Sequence, residues 1–546
     1  MTGQKRTVSP VPGLFSVKAI LWLAAFCLLL AAVIDQTRED LLTPNLWSLI
    51  PGLAGLCGLL ELIALYWRFR LERPSLQGSE TLTNESLLWL MVAVGFALRL
   101  WYVLYTPVNV RQHDVFSFGK LEPMTEFVKY RHAEYIEYIC RYLKLPQVDP
   151  TAVGLSQLYH PPLHHLLAGL WLRLQTALGS EYTRAVESIQ LLTLFYSSAC
   201  MLLCGRLFRQ LGLSGKPLLL AMSIICFHPT FVLLGGSVNN DILSVMLGLA
   251  ALVCTIRWYW SPSIRTILPV ALTVGASMMT KLSGGLLAPG IAVVFLWRAG
   301  KDFLADNKRW RPYFYQFALF AVVCVPLALW WQTRNFILYD TPLAYVPGMS
   351  ANSSQYIGTY TLWQRLFGMP VESLTNVFEA WKNHGAVYNE YSIPLALFKT
   401  AVFDESTFFS SGVSGIQTTG LVASFMLFYS QIALAVWATI AMGIAVFKRR
   451  WLKNTPLTAM LVVIWCTLMA SFVLFCFRYA HTCTQNFRYL VPTLAIGAAF
   501  LGQFYGQTED RPGQGVRIAR YSLATLTGLF CISAAVVYTL LGCVNG

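Results

Sequence analysis

The sequence predicts an all-α polytopic membrane protein with about 13 transmembrane helices. Of its 546 residues, 56% are hydrophobic and only 12% are charged, and the mean hydropathy is +0.55, well above that of soluble globular proteins. Apolar runs of roughly 20 residues, enough to cross a bilayer core of about 30 Å, recur from one end to the other. Basic residues concentrate in alternate connections between these runs.

The apolar runs define thirteen candidate spans. The first is longer than the core of a signal peptide and has no small-residue cleavage site before the next run, so we expect it to be retained. The candidate spans cover residues 15–35, 45–67, 85–106, 186–208, 217–236, 239–260, 264–281, 283–299, 313–333, 420–446, 456–478, 488–505 and 519–542.

The segment QLYHPPLHHLL, followed by AGLWLRLQTAL, is also apolar but is left out of this count. Counted as a span, it would place the two basic clusters before it and the four clusters after it on opposite sides of the membrane. With thirteen spans, all six clusters face the cytoplasm. We therefore predict that residues 161–178 form an amphipathic helix in the outer interface, with Pro161 and Pro162 at its start and Trp171 at headgroup depth. The basic clusters occupy residues 5–6, 68–73, 206–216, 298–311, 448–453 and 511–520.

This topology predicts a cytoplasmic N-terminus, an extracytoplasmic C-terminus, and two long outer loops at residues 107–185 and 334–419. The location of the basic clusters on the cytoplasmic side accounts for the net charge of +14, so nucleic acid is not an expected partner.

The 13 cysteines are scattered along the spans without a CxxC pair, so no disulfide framework is expected. No Rossmann, P-loop or HExxH pattern predicts a nucleotide or zinc site, and we expect no cofactor; a divalent metal stays open as an alternative without support from a motif.

Two acidic residues stand at predicted outer ends of spans. Asp114, in RQHDVFSFGK, is the candidate general base, with His113 as a supporting neighbour; the alternative is a solvated loop acid. Asp241, in GGSVNNDILSVM, is either a second catalytic acid or a helix cap. Asn239 can supply the cap instead, which leaves Asp241 for another task beside its supporting neighbour Asn240.

Three basic residues also stand at outer mouths: Lys281 in MMTKLSGG, Arg334 in WWQTRNFILYDTPL and Arg488 in TQNFRYLVP. Snorkelling to the interface is the ordinary explanation for such residues. Outer basic residues run against the positive-inside bias, however, and these three are flanked by aromatics, which favours a pocket for an anionic headgroup. All eight histidines fall in outer loops or the outer half of the membrane, and His160, beside the prolines, is the one selected as a candidate site residue.

In order along the chain, the loop acid, the HPPL helix, the NND turn, the lysine of TKLSGG and a long outer loop opened by an Arg-Asn pair resemble the GT-C superfamily of membrane glycosyltransferases. The likeness is to bacterial family 39 enzymes, a group related to protein O-mannosyltransferases and lipid A aminoarabinose transferases. It covers the chain from about residue 85 onward. The regions it suggests are an N-terminal two-span addition (1–84), a catalytic transmembrane module (85–333), a long outer loop (334–419) and a C-terminal four-span module (420–546).

The resemblance implies transfer of a sugar, with inversion, from a polyprenyl-phosphate donor to an acceptor hydroxyl or amine of a cell-envelope glycan, lipid or protein. Asp114 then matches the acid that activates the acceptor, and Asp241 a second acid lining the cavity. The donor phosphate is expected at His160, Lys281, Arg334 and Arg488. The mannosyltransferases have an Asp-Glu pair where this chain has Asp114 followed by Val115, which leaves the acceptor class open.

Two other functions fit the composition. A transporter or flippase of a lipid-linked or small substrate would account for many spans with scattered prolines, although transporters usually place ionisable groups near mid-membrane. A lipid-linked oligosaccharide ligase or polymerase would share the membrane setting and the long outer loop, and would differ in the size of the donor.

Overall fold

The computed structural model describes residues 15–37, 80–108, 118–119, 131–151, 157–305, 310–377, 390–404, 418–447, 455–509, 511 and 513–545. Most of these residues are helical, and the extended pairing within these ranges is an isolated bridge between Tyr356 and His481. The predicted all-α polytopic fold class is therefore confirmed for the described part of the chain.

The helices are numbered in chain order. Short 3₁₀ helices occupy Gln157–Tyr159, Leu282–Leu287, Thr482–Gln485 and Phe487–Leu490. The α-helices are α1 (Val17–Thr37), α2 (Glu80–Tyr105), α3 (His132–Tyr142), α4 (Leu163–Ala177), α5 (Tyr182–Glu187), α6 (Gln190–Gln210), α7 (Gly215–Phe227), α8 (Pro229–Gly236), α9 (Asp241–Trp260), α10 (Ile264–Thr280), α11 (Ala288–Ala305), α12 (Trp310–Tyr339), α13 (Leu362–Phe367), α14 (Val371–Thr375), α15 (Ile393–Phe403), α16 (Thr418–Phe447), α17 (Thr455–Arg478), α18 (Pro492–Thr508) and α19 (Gln514–Asn545).

Eight helical segments in the described ranges are long and apolar enough to cross a membrane, or nine if the bent pair α7 and α8 forms one span. The chain is thus a multi-pass membrane protein, but the predicted count of thirteen is not confirmed. The predicted span 488–505 begins later than expected, because residues 487–490 form a 3₁₀ helix and Pro492 opens α18, which has 17 residues. Helix α10, predicted as the span 264–281, also has 17 residues, and the predicted span 45–67 lies outside the described residues.

The helix after the double proline divides into two faces. It spans Leu163–Ala177 with Pro162 as its N-cap residue, so the prolines precede its first turn. Leu167, Leu170 and Leu174 are exposed along one side, at the spacing of one helix face. The opposite face is buried. The leucine face is suited to contact with lipid, and the position of the helix at the outer interface stays a prediction.

The buried face of α4 packs closely on α3. A Cβ at Gly169 would come within 2.8 Å of the Ile139 side chain and 3.0 Å of the Ile136 carbonyl oxygen, so glycine permits this approach. Trp171 donates its indole N–H to Ser188 Oγ at 2.9 Å. The close packing fixes the first turn of α4 against the first turn of α3, both of which reach the site described below.

A fully buried arginine stabilises the break between α7 and α8, which bends the pair by 41°. Arg99 of α2 donates to the carbonyl oxygens of Cys226 at 2.7 Å and Ile225 at 3.0 Å, in the last turn of α7. It also donates to the Gly95 carbonyl at 2.7 Å and to Ser197 Oγ at 3.0 Å. Carbonyls at a helix end lack intrahelical partners. We therefore interpret this buried charge as a structural cap.

Candidate functional site

A cavity of about 590 Å³ opens where the N-terminus of α9, the C-terminus of α10 and the start of α4 meet. Its volume is typical of sites that bury a small molecule. One part of the wall is polar and the rest is apolar. Polar and ionisable residues on the wall include His132, Gln157, His160, Asn240, Asp241, Lys281, Ser283, Gln332, Asn335, Ser471 and Arg488. Apolar and aromatic residues include Met278, Leu282, Leu286, Leu343, Tyr345, Leu468, Phe472, Phe475 and Tyr489.

An ion pair forms the centre of the polar part. Lys281 Nζ donates to Asp241 Oδ1, and Arg488 Nε lies 3.9 Å from Asp241 Oδ2. The Asp241 side chain is 4% exposed, against 12% for Lys281 and 8% for Arg488. Two cations therefore contact one carboxylate at the wall of the cavity. Lysine and arginine are side chains that can bind an anionic group of a ligand.

Local capping explains how Asp241 is available for this cluster. Its backbone N–H donates to Asn239 Oδ1 at 3.0 Å, so the Asn239 side chain satisfies the first N–H of α9, as the sequence predicts, while Asn240 occupies the N-cap position itself. Asn240 Nδ2 donates to the Thr280 carbonyl oxygen at 3.0 Å. This bond ties the beginning of α9 to the end of α10, directly before Lys281, and holds the two charged residues side by side.

Arg488 is held by the 3₁₀ helix that precedes α18. Its backbone N–H donates to Asn486 Oδ1 at 2.8 Å, and the N–H of Phe487 donates to Thr400 Oγ1 of α15 at 2.9 Å. The Tyr489 ring lies 4.7 Å from Lys281 Nζ and 5.2 Å from the Arg488 guanidinium carbon. Both cations thus contact one aromatic ring, an attractive arrangement where water is excluded.

Residues of the long loop after α12 contact the segment that leads into Arg488. Lys399 of α15 forms a fully buried ion pair with Glu390 at 2.9 Å, and Gln485 Nε2 donates to the Glu390 carbonyl oxygen at 2.8 Å. Arg365 donates to the Cys476 carbonyl oxygen at 2.8 Å and to Gln485 Oε1 at 3.3 Å. These contacts connect the loop to the chain leading into Arg488.

His160 lies on the cavity wall together with His132. Their rings are nearly parallel, with centroids 5.9 Å apart, and the Tyr159 ring lies 4.0 Å from that of His160. The double proline determines this placement, because Pro161 and Pro162 hold His160 just before the first turn of α4. The structure thus brings His160, Asn240, Asp241, Lys281 and Arg488 to one cavity.

Arg334 occupies a different position from the one its sequence context suggests. Its guanidinium donates to Asn335 Oδ1 at 2.7 Å and to the Pro146 carbonyl oxygen at 3.1 Å, and it lies over the rings of Trp331 and Tyr339. It is the neighbouring Asn335 that lines the cavity. A ligand in the cavity would therefore contact Asn335 before Arg334.

Asp114 and His113 lie outside the described residues. Sequence reasoning missed many residues of the wall, among them His132, Asn335 and Tyr489. Tyr489 and Asn335 are each next in sequence to a candidate arginine, and this adjacency was the available signal. For His132 the signal was its membership of the histidines predicted to lie in outer segments, but its place at the wall depends on the packing of α3 against α4. Within the described ranges, no group of three or more His, Cys, Asp or Glu side chains is arranged to hold a metal ion.

No protein-family model and no curated protein matches the sequence. The chain is similar to the Archaeoglobus fulgidus oligosaccharyltransferase (13% identity, 83% of this chain and 56% of that one, TM-score 0.42). It is also similar to ArnT from Cupriavidus metallidurans bound to undecaprenyl phosphate, with 13% identity over 84% of this chain and 77% of that one and a TM-score of 0.43. A third similar structure is the arabinofuranosyltransferase AftD from Mycobacteria, with 16% identity over 84% of this chain and 27% of that one and a TM-score of 0.43. The chain thus spans 56% of the length of the oligosaccharyltransferase.

Proposed function

We propose that this protein is a membrane glycosyltransferase that moves a sugar from a polyprenyl-phosphate donor to an acceptor hydroxyl or amine at the extracytoplasmic face. The acceptor belongs to a cell-envelope glycan, lipid or protein. The resemblance in sequence motifs suggests the reaction class, and the cavity provides the physical support.

The observation that carries the proposal is the cationic cluster of Lys281 and Arg488 around Asp241, set in a largely apolar wall. A lipid phosphate combines a negative headgroup with an apolar chain, and it needs both kinds of surface at a membrane boundary. Lysine supplies a point charge, and arginine offers several N–H donors to phosphate oxygens. We place the donor phosphate at these cations, beside His160.

The chemistry requires a base on one face of the sugar and charge stabilisation on the other. The acceptor oxygen attacks the anomeric carbon, the bond from that carbon to the phosphate oxygen breaks, and the electron pair leaves with the lipid phosphate. Asp114 takes the acceptor proton. Lys281 and Arg488 stabilise the charge that develops on the departing phosphate. Asp241, already paired with both cations, is better suited to hold them in place than to accept a proton.

The test uses the full-length protein in proteoliposomes with defined donors. We expect transfer of a radiolabelled monosaccharide from undecaprenyl phosphate to an extracted cell-envelope acceptor fraction. Transport of the lipid or sugar without any transfer would overturn the proposal and support a transporter. Transfer from lipid-linked oligosaccharides, with monosaccharide donors inactive, would instead favour the oligosaccharide ligase.

Orientation is tested separately, in cells, with single cysteines introduced into a variant that lacks the native ones. Leu343, exposed at the cavity, and Lys216, exposed at the start of α7, provide a matched pair. We expect a membrane-impermeant maleimide to label Leu343→Cys in intact cells, and Lys216→Cys only after permeabilisation. The reverse pattern would place the cavity on the cytoplasmic side.

A further inference from the structure

A second cavity, of about 220 Å³, lies between α16, α17 and α18. On α16 its wall includes Gln431, Ala435, Ala438 and Met442, at the spacing of one helix face. From Gln431 to Met442 this face extends about 16 Å, so the cavity is elongated along the helix. Thr439 is also on the wall and is exposed, which places an opening of the cavity at the surface of the helix bundle.

Most of the wall is apolar or aromatic, and charged side chains are absent from its described part. Two threonines on the wall, Thr439 and Thr493, donate their hydroxyls to backbone carbonyls at 2.9 Å and 2.6 Å. Their hydrogen-bonding capacity is therefore used within the chain. Two other polar side chains of the wall, His228 and Gln431, are only 2% and 6% exposed and are in a different position.

The backbone determines which nitrogen of His228 carries the hydrogen. The N–H of Thr230 donates to His228 Nδ1 at 3.3 Å, at the start of α8. Because a backbone N–H can only donate, Nδ1 holds a lone pair, and the neutral ring carries its hydrogen on Nε2. The ring contacts those of Phe487 and Phe530, with centroids 6.1 Å and 5.6 Å away. Nε2 has no hydrogen-bond partner among the described residues, so His228 brings an unused donor to the cavity wall.

Gln431 lies within the apolar, span-forming segment Gly420–Phe447. Its Oε1 is buried without a hydrogen-bond partner, and its Nε2 likewise has none among the described residues. Glutamine in a membrane helix ordinarily bonds across to another helix, because a polar group in apolar surroundings is costly when it has no partner. The amide can donate or accept. Gln431 therefore needs a partner that the described part of the protein does not supply.

We propose that this cavity binds an uncharged membrane lipid through a hydroxyl or ester oxygen. The oxygen accepts from His228 Nε2–H, the Gln431 amide bonds to the same polar head, and the apolar chain lies along α16. A phosphate or ammonium headgroup would enter without an opposite charge on the described wall, which is costly. The ligand therefore differs from the donor placed in the first cavity, whose wall carries Lys281 and Arg488.

The two cavities share the 3₁₀ helix Phe487–Leu490. Phe487 and Leu490 line the second cavity, whereas Arg488 and Tyr489 line the first. A lipid in the second cavity thus contacts the segment that carries one cation of the candidate donor site. Occupancy by this lipid supports that segment from its other side.

The test uses the full-length protein in proteoliposomes and a dodecanol that carries a photoreactive diazirine in its chain. Labelled peptides are identified by mass spectrometry, and we expect them to come from α16 and α18. Unlabelled dodecanol or methyl dodecanoate should compete. Dodecane lacks the oxygen and dodecyl sulfonate carries a charge, so both should compete roughly tenfold less well.

Two variants remove the polar groups in turn. Gln431→Leu replaces the amide by an apolar side chain of similar size, and His228→Asn keeps an oxygen that can cap α8 but lacks the ring N–H. Each should reduce labelling severalfold. Gln431→Leu should melt no lower than wild type, because replacing an unpartnered buried polar group by an apolar one costs little. Thr439→Val is the matched control, since this hydroxyl is already bonded, and should label like wild type.

Unchanged labelling in both Gln431→Leu and His228→Asn would overturn the inference, because the cavity would then take up any apolar chain. Competition by dodecane equal to that by dodecanol would overturn it for the same reason. Both outcomes leave the proposed function untouched, since donor binding there depends on Lys281 and Arg488. Stronger competition by undecaprenyl phosphate than by dodecanol would also overturn the inference, by assigning the cavity to the tail of the donor.

Discussion

Lys281 donates to the buried carboxylate of Asp241 across the junction between α10 and α9. The two residues come from different helices and meet because Asn240 ties its own turn to the carbonyl of Thr280. Separating two buried opposite charges leaves each uncompensated, and the loss of one partner costs more than the loss of both. The pair is therefore a structural element and a part of the candidate phosphate site.

The first prediction concerns this pair. Lys281→Met should weaken binding of undecaprenyl phosphate by about tenfold or more, because a charged hydrogen-bond donor is lost, and it should also lower the melting temperature by leaving Asp241 with less compensation. Adding Asp241→Asn should restore stability but not binding. Thermal unfolding in detergent and native mass spectrometry measure the two effects. A double variant no more stable than Lys281→Met would contradict the structural part of the argument.

The second prediction compares two arginines that the sequence treats alike. Arg488 lines the cavity, whereas Arg334 donates to Asn335 and the Pro146 carbonyl. Arg488→Gln should therefore raise the Kd for undecaprenyl phosphate by roughly tenfold, and Arg334→Gln by no more than about threefold. Binding isotherms of the two variants decide the order. If Arg334→Gln has the larger effect, the donor phosphate lies nearer Arg334, as its sequence context suggests.

Much of this site can be predicted from position alone. A charged residue at the end of an apolar run must lie near a membrane boundary, which places Asp241, Lys281 and Arg488 at mouths of helices. Helix boundaries for long apolar segments follow from hydropathy in the same way. The sequence also predicts the cap at Asn239, because capping is a local interaction between residues two apart.

The remaining features depend on packing between distant segments, which a sequence pattern does not specify. The direction of the Arg334 guanidinium is set by the Pro146 carbonyl and by two aromatic rings. His132 reaches the cavity because Gly169 allows α4 to approach α3. The shortened start of α18 reflects a 3₁₀ helix held by Thr400 of α15. The contacts of Arg334 with Pro146, of Gly169 with Ile139, and of Phe487 with Thr400 each join residues far apart in the chain.

The third prediction concerns the candidate base. Asp114→Asn should reduce sugar transfer by about a hundredfold to ten-thousandfold, the range typical of losing general-base catalysis, while the Kd for undecaprenyl phosphate changes little, because the base acts on the acceptor. Single-turnover transfer and equilibrium binding, measured on the same preparation, separate the two effects. Asp114→Glu is the conservative comparison. Near-normal turnover in Asp114→Asn would remove Asp114 from the mechanism, and Asp241 would then be the acid to examine.

The last prediction uses acid stability to examine His164. Burial lowers the pKa of His164 to about 3, while in the unfolded chain it should stay near the usual value of about 6.5. Between these values the unfolded state binds the proton and the folded state does not, so the free energy of unfolding falls as the pH drops below about 6.5. The slope of the free energy of unfolding that is attributable to this residue is about 1.4 kcal/mol per pH unit.

In His164→Phe that contribution disappears, so the melting temperature should fall less steeply with falling pH than in wild type between about pH 6.5 and pH 4.5. Neither ring nitrogen of His164 has a hydrogen-bond partner among the described residues, so the substitution should cost little stability at neutral pH. Parallel acid profiles of the two proteins would show that His164 is protonated in the folded state, and would contradict its burial as a neutral ring.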